Sequence, residues 1–332
     1  MNFKKYKKMT ISFYWVLNKH ILILDDSRQY FSFFKSDINN IEWRFKIPNT
    51  NVSFITIDNQ SIIIFVDNQS IVINASTGES YSLNEIILLK MNKFYSAYID
   101  IKKPTQIIFS INDVDTKKTL EYGNINKFFE HYMVIGKDAN IQIIDIFNNT
   151  WSFDFTEHSE WNDPINGLID GDVGEIFHVS EDFFVVLSHR WKLTAFRIID
   201  GAILWEHSFN NTLPLIYSYS QNSFHVFSDM YYSIDATTGQ VLVQYDFRTI
   251  FNENGLRTYW LTNPAVNDTF IAVTSHYDNS IIIINRKDFS IAQIIKLDKS
   301  KLGVPLPNKP VFLENKLLQL DGENNLYVFG TP

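Results

Sequence analysis

Along this chain one phrase recurs: an apolar strand, a short turn of Asp, Asn, Ser, Thr and Gly, then a second strand that often carries an aromatic. The plainest copy is Tyr231-Tyr232-Ser233-Ile234-Asp235-Ala236-Thr237-Thr238-Gly239-Gln240-Val241-Leu242-Val243-Gln244-Tyr245. Ile71-Val72-Ile73-Asn74-Ala75-Ser76-Thr77-Gly78-Glu79-Ser80-Tyr81 repeats it with nearly the same turn chemistry. Such repetition constrains the fold more than composition does, because a single unit of this kind cannot bury its own apolar faces and must stack on copies of itself. The chain is therefore committed to a stacked or circular β architecture.

Short alternations of apolar and polar residues, bounded by Asn, Asp, Gly or Ser, fill nearly the whole sequence, and sustained helical periodicity is hard to find. The fold class is all-β. Tight polar turns at Asn18, Asn59, Asn92, Glu130, Glu181, Asn222, Asn267 and Asn315 recur about every 42 residues, the length of a four-stranded, WD40-like propeller blade. Eight four-stranded blades in a single domain, residues 1–332, are expected, and seven if residues 113–122 form only a decorated hairpin. The third-to-fourth strand turns Asn39-Asn40, Thr77-Gly78, Asn148-Asn149, Asp200-Gly201 and Thr238-Gly239 use residues that tolerate positive φ. An aromatic follows each (Trp43, Tyr81, Trp151, Trp205, Tyr245), placed to wedge against the neighbouring sheet. The last unit, residues 310–330, supplies only three strands, so its outer strand is expected from residues near Phe3 to Lys8, with residues 9–16 as the first inner strand. That pairing would close the ring.

Two stretches, Ile234-Asp235-Ala236-Thr237-Thr238-Gly239-Gln240-Val241-Leu242 and Leu193-Thr194-Ala195-Phe196-Arg197-Ile198-Ile199-Asp200-Gly201-Ala202-Ile203-Leu204-Trp205, resemble the repeat of the quinoprotein-alcohol-dehydrogenase-like (PQQ-type) β-propellers. That repeat ends a strand with Leu-Asp-Ala-x-Thr-Gly and follows it with Trp. The resemblance spans most of the chain as a degenerate pattern, and it is close in these copies and in residues 71–81. It implies a propeller, and it covers both dehydrogenases that bind pyrroloquinoline quinone and non-enzymatic scaffolds that bind other proteins. Many of the dehydrogenases carry a vicinal Cys pair beside the cofactor; this chain has no Cys. The resemblance leaves the activity open, and the missing Cys pair leads to the expectation of a non-catalytic member without cofactor.

With 37 acidic against 29 basic residues, the net charge of −8 repels a phosphate backbone and argues against nucleic acid. Asn2-Phe3-Lys4-Lys5-Tyr6-Lys7-Lys8 is basic like a secretory leader, but the apolar run behind it is interrupted at Asn18-Lys19-His20. No apolar stretch reaches the roughly 18 residues a membrane helix requires. Together with the absence of Cys, this predicts a cytoplasmic protein with no membrane association.

In a four-stranded blade, the second-to-third turn and the crossover to the next blade emerge on one rim. The crossover at residues 155–175 is long, acidic and Gly-containing, and that at residues 247–264 carries Arg and aromatics. A third crossover, residues 298–309, is rich in Lys and Pro. The candidate partner-binding residues on this rim are Trp161, Asp163, His189, Arg190, Trp191, Arg257, Tyr259, Trp260, His276 and Tyr277, because Trp, Tyr and Arg dominate binding hot spots. Asp163, Asp170 and Asp172 lack the spacing of a calcium loop, and the eight His residues show no zinc spacing, so no metal is expected. No phosphate loop or nucleophile elbow occurs. The expected function is a non-catalytic protein-binding propeller, a scaffold or an inhibitor/immunity-type partner of a basic protein. The alternative is an enzyme or small-ligand binder using the central channel.

Overall fold

The alternation read from the sequence becomes strand pairing throughout. In the computed structural model, thirty-three strands and one short helix form among the described residues. β1 (Lys4–Leu17), β2 (His20–Asp25), β3 (Tyr30–Lys35) and β4 (Ile41–Lys46) open the chain. β5 (Val52–Ile57), β6 (Ser61–Val66), β7 (Gln69–Asn74) and β8 (Ser80–Leu83) form the next sheet. The third comprises β9 (Ile86–Lys90), β10 (Tyr95–Ile99), β11 (Gln106–Ile111) and β12 (Val114–Thr119). β13 (Ile125–Phe129), β14 (Tyr132–Lys137), β15 (Asn140–Asp145) and β16 (Thr150–Asp154) follow, and the crossover behind them holds a hairpin of β17 (Trp161–Asp163) and β18 (Gly167–Ile169). Next come β19 (Val173–His178), β20 (Phe183–Ser188), β21 (Lys192–Arg197) and β22 (Ile203–Ser208). β23 (Leu215–Ser218), β24 (Ser223–Phe227), β25 (Met230–Asp235) and β26 (Val241–Asp246) precede the helix α1 (Arg248–Glu253). β27 (Ala265–Val266), β28 (Phe270–Ser275), β29 (Ser280–Asn285) and β30 (Ile291–Lys296) make another sheet, and β31 (Val311–Leu313), β32 (Lys316–Leu320) and β33 (Asn325–Gly330) complete the series. Besides these elements the structure describes residues 40, 47, 75–79, 138–139, 155, 172, 179–182, 198–202, 209, 220–222, 229, 236–240, 247, 254–258, 261–262, 264, 267–269, 277–279, 286–290, 297, 309–310, 314, 321 and 323–324.

Each of the eight turns expected between first and second strands falls between two strands that pair antiparallel. Within residues 113–122, β12 is an outer partner of β11, in register from Gln106↔Thr119 to Ile111↔Val114, and residues 113 and 120–122 lie outside the described residues. β1 is shared. Lys4 to Thr10 pair with β33, Ile11 to Leu17 pair with β2, and a single seven-stranded sheet therefore runs β31-β32-β33-β1-β2-β3-β4. No sheet among the described residues closes on itself.

The chain divides into two units, one of residues Met1–Thr50 with Leu213–Pro332, the other of Asn51–Thr212. In the second, the sheets β13–β16 and β19–β22 face each other through a shared core of Tyr132, Val134, Ile141, Phe155, Phe184 and Phe196, each at most 1% exposed. In the first, Phe227, Tyr231, Phe247, Phe251, Val273 and Ile282 join β23–β26, α1 and β27–β30 in the same way. The middle strands of each set are buried on both faces, as in β20, β24 and β28, whereas outer strands such as β4, β22 and β26 alternate exposed and half-buried residues. This is the pattern required of a sheet packed on both sides with one free edge.

The third-to-fourth strand turns share one construction. Gly78, Gly201, Gly239 and Phe289 each adopt φ near +57 to +73°, and each donates its N–H to the carbonyl four residues back (Asn74, Arg197, Asp235, Asn285) at 2.9–3.0 Å. Asp235 Oδ1 accepts from the amides of Thr237 and Thr238 at 3.0 and 2.8 Å, and Asn74 Oδ1 does the same for Ser76 and Thr77. These short acceptors preset the turn and explain why Asx residues recur there. Of the aromatics that follow, Trp151 lies on the next sheet, with Nε1 donating to the Ile198 carbonyl at 2.7 Å. Tyr245 stacks on Phe289 at 4.5 Å, whereas Tyr81 stays 46% exposed.

Candidate functional site

The crossover after β26 is built from the residues that follow Asp246. The Asp246 carboxylate accepts the Arg248 amide at 2.9 Å, and the Arg248 guanidinium returns to it, just ahead of α1, whose N-cap position is Phe247. That pairing holds the Asp246 carboxyl near pKa 2, below the usual carboxylate range. Phe251 is fully buried and anchors the helix. The helix then stops at Gly255, whose φ of +65° lets the Leu256 amide reach back to the Phe251 carbonyl at 2.8 Å. Leu256 is buried beside Phe251 in the same cluster, so the residue after it, Arg257, is delivered to the surface from a fixed point. Beyond it, Leu261 bridges to Ser275 and the Thr262 amide donates to the Thr274 carbonyl at 2.9 Å, seating the crossover along β28.

The β28–β29 turn receives it. Asp278 donates its amide to Ser275 Oγ at 3.0 Å, and its Oδ2 accepts the Ser275 hydroxyl at 2.9 Å and the Arg257 amide at 3.3 Å. Asn279, at φ +49°, ties the turn to the end of β30 through Nδ2 to the Leu297 carbonyl at 2.9 Å. Lys296 Nζ donates to the Asp278 carbonyl at 3.4 Å. With both backbones fixed, the Arg257 guanidinium carbon sits 3.5 Å from the centroid of the Tyr277 ring, which is 49% exposed. A guanidinium flat on an aromatic face is attracted by the ring quadrupole.

Beneath the surface lie polar groups of another kind. His225 is fully buried, with Nε2 3.0 Å from Ser223 Oγ and Nδ1 2.8 Å from the Tyr231 hydroxyl. Burial, helped by the Arg286 charge, lowers its pKa to about 3, and burial raises Tyr231 to about 12. Both are neutral at physiological pH. Thr274 Oγ1 donates to Gln319 Oε1 at 2.6 Å, joining β28 to β32. Every one of these groups has its hydrogen bonds satisfied inside the sheets, which suits a structural task.

Of the ten residues expected on the rim, the structure brings Arg257 and Tyr277 into direct contact. Trp161 and Asp163 open and close β17, paired with Ile169 and Gly167, so the long acidic crossover carries a hairpin of its own. Their side chains lie outside the described residues, as do His189, Arg190, Trp191, Tyr259, Trp260 and His276 altogether. Asp172 is exposed at the start of β19, and Asp170 falls outside the described residues. Among the described residues no cluster of three or more metal-ligating side chains occurs, and no helix is long and apolar enough to cross a membrane. The residue missing from the expected set is Asp278, which joins the two loops. Its signal was the Ser-x-x-Asp spacing from Ser275, the pattern of a side-chain-closed turn.

No family model matches the chain, and no curated protein matches it. Solved structures do. BamB from Moraxella catarrhalis is 15% identical, with 99% of this chain and 100% of that chain covered and a TM-score of 0.56. Sqt1 from Saccharomyces cerevisiae is 10% identical over 99% and 98% of the two chains, TM-score 0.58. Apo AztD from Citrobacter koseri is 9% identical over 90% and 87%, TM-score 0.58. These three are β-propeller proteins, and the likeness assigns this chain's fold to the propeller class.

Proposed function

We propose that the chain is a single, closed β-propeller of eight four-stranded blades that binds another protein through the rim carrying its crossovers, without catalysing a reaction. The closure rests on β1, whose first half would complete the last blade while its second half opens the first. Removing residues 4–10 should then lower the melting temperature by several degrees, and an unchanged melting curve would count against the closed ring. The likeness to BamB and Sqt1 fits a protein-binding scaffold in general.

The observation that carries the binding role is the Arg257–Tyr277 contact: two hot-spot residue types, from loops 20 residues apart, held exposed by a shared carboxylate. Arranging large side chains before the partner arrives reduces the ordering entropy of association. The remaining features of this reading are a PQQ-type repeat of non-catalytic kind, a cytoplasmic setting, a scaffold or inhibitor/immunity-type role, and a partner of basic character. The net charge of −8 favours the last by electrostatic steering. The test is affinity capture from the native host with the wild-type chain and with a quadruple variant, Trp161→Ala, Arg190→Ala, Trp191→Ala and Trp260→Ala. Loss of a specific partner from a folded variant supports the rim, and an unchanged partner set rejects it.

A further inference from the structure

We infer that β8 is a docking edge for an extended, basic segment of another protein, which would add to the four-stranded sheet as a further strand; this is independent of the crossover rim. Among the described residues β8 ends the sheet β5-β6-β7-β8 and pairs with β7. The Asn74 amide donates to the Glu79 carbonyl at 2.8 Å, and hydrogen-bonded pairs in an antiparallel ladder recur every second residue, so the next bonds join Val72 to Tyr81. The N–H and C=O groups of Ser80 and Ser82 therefore point away from β7. Both residues are exposed, so the edge offers their amides and carbonyls to an added strand, whose main-chain bonds would supply the affinity.

The other described outer strands are guarded against such pairing. A register shift, the mark of a β-bulge, interrupts β4, β22, β26 and β30 against their third strands, and another interrupts Lys4 to Thr10 against β33. Bulges and edge charges both discourage strand addition. The straight edges β12 and β16 carry charge instead, Asp115, Lys117 and Lys118 in one and Asp154 in the other. β8, Ser80-Tyr81-Ser82-Leu83, keeps an unbroken register with β7 and contains no charged residue. Its surroundings select the occupant. Between Lys46 and Lys90 there is no Lys or Arg, while Asp58, Asp67, Glu79 and Glu85 are acidic, and Glu79 stands exposed directly before β8. A second copy pairing through the same edge would bring two acidic edges together and be repelled, whereas a Lys or Arg on a foreign segment would be attracted to Glu79.

The test uses the full chain and the probe acetyl-Lys-Val-Thr-Val-Lys-amide, followed by nitrogen–proton NMR and amide hydrogen exchange. Half-saturation is expected at about 1 mM, with exchange slowed at the Ser80 and Ser82 amides and unchanged at Tyr81, whose amide already faces β7. Ser82→Pro removes an outward N–H and leaves the bonds to β7 in place, so it should weaken binding about tenfold, whereas Ser82→Ala, which keeps the backbone, should stay within about twofold of wild type. Glu79→Gln should weaken it about threefold. Two further probes, one N-methylated at both Val residues and one at Thr, act on the unaltered protein: methylation along one edge of the peptide should abolish pairing, and along the other should leave it. The inference is overturned if about 5 mM probe leaves the Ser80 and Ser82 amides unprotected, if both methylated probes bind equally well, or if a folded Ser82→Pro chain binds as wild type does. Protection of both amides by self-association without probe would overturn it as well. Failure here leaves the capture experiment free to succeed through Trp161, Arg190, Trp191 and Trp260, so the two readings fail separately.

Discussion

Two turns with the same backbone are filled in opposite ways. In the unit of residues 51–212, the turn after β21 places Gly201 at φ +71°, and Trp151 from the preceding sheet lies over it. A Cβ on Gly201 would come within 2.8 Å of Trp151 Cδ2 and Cε3, so glycine is required there twice, for the backbone and for the ring. In the other unit, the turn after β29 has Phe289 at φ +57°, a conformation that bulky residues rarely adopt. Its ring stacks on Tyr245 at 4.5 Å and also reaches Tyr231 and Phe247 at 5.7 and 6.0 Å. The aromatic volume between neighbouring sheets can thus come from the strand or from the turn. What the repeat conserves is the filled space and the hydrogen-bonded turn, more than the residue at any one position.

This contrast can be broken from either side. Trp151→Ala should have the largest effect, about 3–5 kcal/mol in urea unfolding, because it empties the space over Gly201 and leaves the Ile198 carbonyl without the indole donor. Acid should come next. Phe289 touches Tyr231, which is hydrogen-bonded to His225, and His225 is held neutral in the folded chain by a pKa of about 3. The unfolded chain takes up that proton near the ordinary His value, so stability is full above it and falls as pH drops. From pH 7 to pH 4 the loss specific to this group is about 3 kcal/mol, measured as the difference between wild type and His225→Gln. Gly201→Ala should lose about 2 kcal/mol by strain and overpacking, and pairing it with Trp151→Tyr should restore part of that. Phe289→Gly should be mildest, about 1 kcal/mol, since the lost stacking is offset by relief at positive φ. If Phe289→Gly proved as damaging as Trp151→Ala, the turn would be carrying more of the inter-sheet contact than the strand.

The repeat was legible because its turns depend on local chemistry: Asx oxygens bonding amides two and three residues on, followed by glycine, leave a mark in a few adjacent letters. The turn Asn285-Arg286-Lys287-Asp288-Phe289-Ser290 lacks the glycine and so escaped that pattern, although Asp288 accepts from both the amide and the hydroxyl of Ser290. Short elements inside crossovers escaped too. α1 spans six residues, and β17 and β18 three each, too few for any period to show. At the candidate site, Arg257 and Tyr277 were legible as residue types on one rim. Their contact was not, because it depends on where Gly255 ends a helix and on Asp278 bonding across 21 residues. His225 had no signal at all, since nothing in a lone His foretells that two hydroxyls will enclose it.

The sharing of β1 has a consequence for how the protein is made. On the ribosome, Lys4 to Thr10 emerge well before their hydrogen-bonding partners in β33, Asn325 to Gly330, which are translated hundreds of residues later. Throughout that interval the nascent chain presents one strand with an unsatisfied edge, of the kind that invites pairing with other chains. Lys4, Lys5, Lys7 and Lys8 lie on that segment, and clustered lysines are what discourage such mispairing. Pairing of β1 with β33 is therefore a late event, governed by a contact of very large sequence separation.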